Sequence, residues 1–287
     1  MKLPYLLALY FGVVGQACAG DLQIVNIQSA AGAKVGVPAR GGLATLFVRG
    51  LDDVPKVSVS GPLPLPRELA GVKVMVRGLA APLLAVINPG DVQQINLQIP
   101  SESNGFDCDQ TENVSIVLEH AGRTVSASYN LTSRDAGEIF EIQGTGAFFH
   151  SDFSPITLEK PAALGETIVI LATGLGPTSP AVPSGAPAPA TEPLARFAPK
   201  QQCPGETVDE YSVQLINSGN EALRLEPQFI GLMPGYAGVF QINVKLPVDR
   251  PAYRPFTISL YRYRCGFFCQ LRTGQYSSAP RNLPTTF

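Results

Sequence analysis

The sequence contains two histidines, His120 and His150, the residue type most often used as a general base. His120 stands at the start of His120-Ala121-Gly122-Arg123, which reads as a hairpin turn and predicts a solvated ring. His150 lies beside Phe149 and Asp152, where a structural hydrogen bond is expected rather than catalysis. No GxSxG, HExxH or Ser-x-x-Lys pattern supplies a nucleophile or a catalytic metal. Gly174-Leu175-Gly176-Pro177 lacks the spacing of a phosphate loop, so its glycines are read as letting a strand exit sharply before proline. The acid pairs Asp52-Asp53 and Asp107/Asp109 lack the ligand spacing of a calcium loop and read as solvated. No catalytic residue, cofactor or metal site is therefore expected.

Cysteine is the other reactive type. With a leader removed, Cys108, Cys203, Cys265 and Cys269 remain, an even number that in an exported chain favours disulfides. Zinc would require CxxC pairs or neighbouring histidines. Cys265 and Cys269 can close a hairpin tip, where a bond pins shape more than it adds entropic stability. That local bond is preferred and leaves Cys108 with Cys203. A competing set joins Cys203 to Cys265 or Cys269.

The N-terminus predicts export. Lys2, the apolar run Leu6 to Gly15 and the Ala17-Cys18-Ala19 cleavage pattern make residues 1–19 a signal peptide. A rival reading makes Cys18 a lipid-attachment cysteine, although Gly15 stands where leucine is usually wanted. No stretch is long enough for a transmembrane helix. Charged residues make up 15% of the chain and net charge is −2, which excludes a basic nucleic-acid face.

The elements that must carry these residues repeat. "VQQINLQIP" begins at Val92 and "VFQINVKLP" at Val239. Both alternate apolar and polar residues, the period of a half-buried strand, and both close on a proline that donates no ladder hydrogen bond. Upstream, "LATLFVRGL" and "TIVILATGL" each end on Gly-Leu. The second copy is longer between its landmarks by about 23 residues, and the excess falls in "GPTSPAVPSGAPAPATEP", Gly176 to Pro193. Such proline density predicts an extended loop.

The fold class expected is all-β: two tandem immunoglobulin-like (IPT/TIG-like) antiparallel β-sandwiches. Residues 21–132 form the first. Its strands are expected at Leu43–Arg49, Lys56–Ser60, Val72–Arg77, Pro82–Ile87, Val92–Ile99, Ser115–Glu119 and Val125–Leu131. Residues 154–287 form the second, with a proline-rich loop at 176–205. Its strands are expected at Thr167–Thr173, Ser212–Ile216, Ala222–Ile230, Val239–Leu246, Phe256–Arg264 and near Gln270–Tyr276. Residues 133–153 are expected as an inter-domain segment whose Ile139, Phe140, Phe148, Phe149 and Phe153 pack into the seam and make the pair rigid. The sequons at Asn113 and Asn130 are read as strand residues.

"ATGLGPTSPAVPSGAPAP" (Ala172 to Pro189), "FIGLMPGYAGVFQINVKLP" (Phe229 to Pro247) and "AAPLLAVINPGDVQQINLQIP" (Ala80 to Pro100) together resemble the uncharacterised secreted domain family abundant in acidobacteria, the Solibacter type. The resemblance covers almost the whole mature chain. It implies tandem immunoglobulin-like modules of secreted or surface proteins, with no catalytic residues to carry over. The cysteines and the hairpin "YRYRCGFFCQLRTGQY", residues 261–276, depart from the family pattern.

Along Phe256, Ile258 and Leu260 the core face continues into Arg262 and Arg264. Charges are rarely buried, so this strand is expected to run past the sandwich edge. Tyr261, Arg262, Tyr263, Arg264, Phe267, Phe268 and Arg272 then form a candidate contact hairpin of residue types common at interfaces. The alternative folds the hairpin back and buries its rings. The function expected is a secreted or cell-surface, non-catalytic protein-binding or adhesion module whose partner is a protein or an envelope polymer. The alternatives are a structural spacer or assembly module of the envelope and, less favoured, a secreted hydrolase. Carbohydrate binding would usually present tryptophan, of which there is none, although tyrosine can substitute.

Overall fold

The computed structural model describes residues 21–32, 35–103, 113–130, 137–142, 144–198, 207–216, 222–249, 256–265, 273–277 and 281–284. Every regular element among them is a β-strand. No helix among them is long and apolar enough to cross a membrane. The expected signal segment with Cys18 lies outside the described residues.

The first unit contains β1 (Gln23–Ser29), β2 (Leu43–Arg49), β3 (Val57–Val59), β4 (Val72–Val76), β5 (Leu79–Ala80), β6 (Leu83–Ile87), β7 (Gln93–Gln98), β8 (Asn113–His120) and β9 (Arg123–Asn130). They form two antiparallel sheets, β1-β2-β7-β6-β3 and β5-β4-β8-β9. Inward side chains of both sheets meet in one apolar core, with Leu46, Val86 and Ile95 on one side and Val74, Ile116 and Leu118 on the other. Removing these faces from water drives the sheets together. Asn113 and Asn130 are strand residues, directly opposite one another.

The second unit contains β10 (Glu138–Ile139), β11 (Glu141–Ile142), β12 (Thr145–Gly146), β13 (Phe148–Phe149), β14 (Thr167–Thr173), β15 (Thr178–Ser179), β16 (Arg196–Phe197), β17 (Thr207–Ile216), β18 (Ala222–Leu225), β19 (Pro227–Leu232), β20 (Phe240–Lys245), β21 (Phe256–Cys265), β22 (Thr273–Ser277) and β23 (Arg281–Leu283). One sheet runs β10-β14-β20-β19-β16-β15 with β13 also on β14. The facing sheet runs β18-β17-β21-β22 with β23 also on β21. Ile170, Phe240 and Ile242 meet Val213, Ile258 and Leu260 in a second core. The chain is thus two tandem immunoglobulin-like sandwiches.

The repeated phrase occupies the same place in both. Ile95 sits between Leu46 and Val86, and Ile242 between Ile170 and Ile230. The neighbouring strand bulges at the same step in each copy, between Leu83 and Ala85 and between Pro227 and Phe229. On the outer face, Gln94 Nε2 donates to Asn96 Oδ1 at 2.8 Å, and Gln241 Nε2 to Asn243 Oδ1 at 2.9 Å.

Of residues 133–153, expected as an inter-domain segment filled with aromatics, the described part, 137–142 and 144–153, packs otherwise. β10 and β13 pair with β14, so this stretch completes the second unit's sheet. Ile139 and Phe148 are buried in the second core, while Phe153 is 45% exposed. The physical reason is edge pairing: two short strands find ladder partners and a core on the same side, at about 1.5–3 kcal/mol for each buried side chain.

Candidate functional site

The proline-rich loop makes one of the contacts between the two units. It leaves the sheet at Thr173, where Gly174 adopts φ +73°. The loop returns as β16, and between these points Pro183-Ser184-Gly185 reaches across to the first unit. Ser184 is 6% exposed. Its N–H donates to Glu102 Oε1 at 2.8 Å and its hydroxyl to Glu102 Oε2 at 2.6 Å. The same hydroxyl accepts from the Ser101 N–H at 2.7 Å. Its carbonyl accepts from Arg67 Nη2 at 3.0 Å. The Gly185 N–H donates to Gln98 Oε1 at 2.7 Å, and the Gly185 carbonyl accepts from the Leu65 N–H at 2.8 Å. Every backbone polar group of this dipeptide is therefore satisfied by the other unit, as buried polar groups require.

Glycine is needed here for shape. Gly185 has φ +83°, and a Cβ on it would lie 3.1 Å from Pro82 Cβ. A second contact joins the units through Thr173. The Leu43 N–H donates to Thr173 Oγ1 at 2.9 Å, and that hydroxyl donates onward to the Gly238 carbonyl at 2.8 Å.

Electrostatics reinforce the first contact. Burial pushes the Glu102 carboxyl up, but the Ser184 hydroxyl and N–H outweigh it and Arg67 adds to them, so the net value is lowered. Below it, Ser103 donates its hydroxyl to Pro100 O at 2.8 Å and fixes the turn that presents Glu102.

The motif residues singled out in the sequence thus sit at the joint rather than at a free surface. The proline-rich loop is docked at Ser184 and Gly185, while Pro180, Pro183 and Pro187 stay exposed. Gln98 points away from its own core, as alternation predicts, and is covered by the other unit. The sequence marks Ser184 and Gly185 only as part of the proline-rich insertion, since backbone donors leave no mark in composition.

Both histidines pair with a carboxylate and a backbone carbonyl. His120 is 7% exposed, not solvated as expected. The hairpin turn itself is Ala121-Gly122, and the ring folds back beneath it. Nδ1 pairs with Gly71 O at 3.0 Å and Nε2 with the Asp53 carboxylate at 2.8 Å. Asp53 is lowered first by this hydrogen bond, with burial acting the other way. His150 Nδ1 pairs with Glu166 Oε1, and its Nε2 lies 3.2 Å from Lys160 O. Nearby, Lys160 Nζ donates to Ser154 Oγ at 2.6 Å and Ser154 Oγ donates to Asp152 Oδ1 at 2.6 Å. The Lys160 and Asp152 side chains are 57% and 66% exposed, so this is a solvated loop network.

The candidate contact hairpin is present as a stem. Tyr261, Arg262, Tyr263, Arg264 and Cys265 belong to β21 and pair with Ser277 back to Thr273 in β22. Their other neighbour is β17, with Cys265 opposite Thr207. Phe267, Phe268, Arg272, Cys269, Cys108 and Cys203 lie outside the described residues. The stem stands at the seam end of the second unit. Tyr211, level with Arg262 in the ladder, donates its hydroxyl to Leu175 O at 2.9 Å, one residue past Gly174. β21 continues beyond that level to Cys265.

No family model matches this chain, and no curated protein matches it. Among solved structures it is similar to a DUF4785 family protein from Legionella pneumophila, at 14% identity and a TM-score of 0.23 over 90% of this chain. The chain spans about half of that protein's length, 55%. It is also similar to the N-terminal Ig1-2 module of the Drosophila receptor protein tyrosine phosphatase DLAR, at 15% identity and a TM-score of 0.20, covering 93% of this chain and 99% of that one. Bovine butyrophilin shows 9% identity and a TM-score of 0.18, with 88% and 98% covered. The fold assignment rests on the sheet topology above.

Proposed function

We propose that the chain is an exported, non-catalytic pair of immunoglobulin-like modules that binds a protein or envelope polymer at the cell surface or in the medium. Membership of the Solibacter-type family and the disulfides belong to the same proposal. The observation that carries it is the placement of the β21–β22 stem at the end of a unit clamped to its neighbour through Ser184 and Gly185. Recognition elements on such folds are loops and hairpins held by a rigid scaffold. Each histidine has both ring nitrogens engaged, by a carboxylate and by a backbone carbonyl, which supports this reading. The test replaces Phe267 and Phe268 with serine and compares, by mass spectrometry, what the native and variant proteins capture from envelope extract. An unchanged capture set would remove the hairpin from the proposal.

The clamp also favours a second reading, a rigid spacer or assembly module with no discrete ligand. An unchanged capture set, together with self-association that survives the Phe267→Ser/Phe268→Ser change, would favour it.

A further inference from the structure

The two units treat one sheet edge differently. In the second, β16 pairs with β19 on its inner side, and Leu232 N donates to Ala195 O at 2.8 Å. Its outer side is covered. β15, from the proline-rich loop, pairs Thr178 with Phe197 and Ser179 with Arg196, and Ala198 N donates to Pro177 O at 3.0 Å. The equivalent strand of the first unit is β3. Asn88 N donates to Lys56 O at 2.8 Å, the counterpart of the Leu232 bond, and Ser58 faces Val86. No described strand lies on its outer side.

Antiparallel ladders alternate, so the bonds of Lys56 and Ser60 to β6 turn the N–H and C=O of Val57 and Val59 outward. These valines are 61% and 67% exposed. An open edge with β-branched apolar residues is a template for strand addition. We propose that this edge pairs with β3 of a second copy of the chain, forming a two-fold antiparallel dimer. The pairing is self-complementary. With the axis at Ser58, each Val57 faces Val59 of the second copy, and their outward N–H and C=O groups exchange hydrogen bonds. Lys56 then faces Ser60, so no like charges are opposed. The added strand does for the first unit what β15 does for the second. The edge is three residues long, so the dimer is weak and concentration-dependent.

The inference is independent of the contact hairpin. Its test is sedimentation velocity of the mature protein from about micromolar to about millimolar concentration. A reversible dimer is expected, together with slowed amide exchange at Val57 and Val59. Val57→Lys/Val59→Lys, which sets lysines against lysines at exposed positions, should raise the dissociation constant at least about tenfold while leaving the circular dichroism and melting curve unchanged. A protein monomeric throughout, or a dimer indifferent to the double substitution, overturns the proposal. So does a monomer whose Val57 and Val59 amides shift only on adding a peptide of the Gly176–Val182 sequence, which would make the edge a peptide site instead.

Discussion

Gly185 of the second unit donates its N–H to Gln98 of the first at 2.7 Å, and Gln98 passes the bond on to the Gly41 carbonyl at 3.0 Å. One side-chain amide thus satisfies a buried donor in one unit and a carbonyl in the other. The joint between the sandwiches is a polar lock built largely on backbone groups.

Gln98→Leu should therefore cost more than its outward place on its own strand suggests. It leaves the Gly185 N–H and the Gly41 carbonyl without partners, at about 1–3 kcal/mol each where burial is complete. Guanidinium unfolding should show a drop of about 2–4 kcal/mol or a split into two transitions. A curve that overlays the native one would show that the lock contributes nothing.

Glu102 makes the lock acid-sensitive. Its folded-state carboxyl lies below the ordinary glutamate value, so its contribution is complete above the unfolded value, about 4.3. It is lost as pH falls through the lower folded value. Melting temperatures of the native protein and Glu102→Gln, measured from pH 6 to pH 2, should differ at the upper end and converge at the lower. A constant gap would contradict the assignment.

In the first unit, His120→Ala removes the ties to Gly71 and Asp53. A loss of about 1–2 kcal/mol is expected. The Asp53 carboxyl, now held below its usual range first by the histidine, should rise toward the ordinary aspartate range. Carbon-detected titration of Asp53 reads this directly, and an unmoved titration would assign the lowering to something else.

The second unit needs its first strands. A fragment beginning at Ser154 lacks β10 and β13 and the buried Ile139 and Phe148. It should fail to fold cooperatively, while a fragment beginning at Gly137 should give sharp tertiary signals by near-ultraviolet circular dichroism. Equal behaviour of the two would return residues 137–153 to the status of a linker.

The strands with clean alternation or unbroken apolar runs were legible: Leu43–Arg49 and Thr167–Thr173 match β2 and β14 end to end. β1 was not, because a bulge between Ile24 and Asn26 breaks its period and leaves Val25 exposed. β10 to β13 were hidden by their shortness and by Gly144 and Gly146, which read as linker. The site was legible only as a motif. Ser184 and Gly185 belong to the insertion and Gln98 to an alternating strand, and what they do depends on groups brought together from 87 positions apart. The His120 ring was misplaced for a similar reason: its hairpin turn was evident, but the Asp53 beneath it comes from a distant loop.

The insertion that distinguishes the copies also gives the pair a direction. Only the second sandwich carries the Ser-Gly loop, and the Gln98–Glu102 edge that receives it belongs to the first. In the second copy Lys245 and Asp249 stand at the equivalent positions. A chain with the same two sandwiches in reverse order would present a key to a site without its lock. The units repeat one phrase in the same place, and the proline-rich loop sets the order in which they can lock.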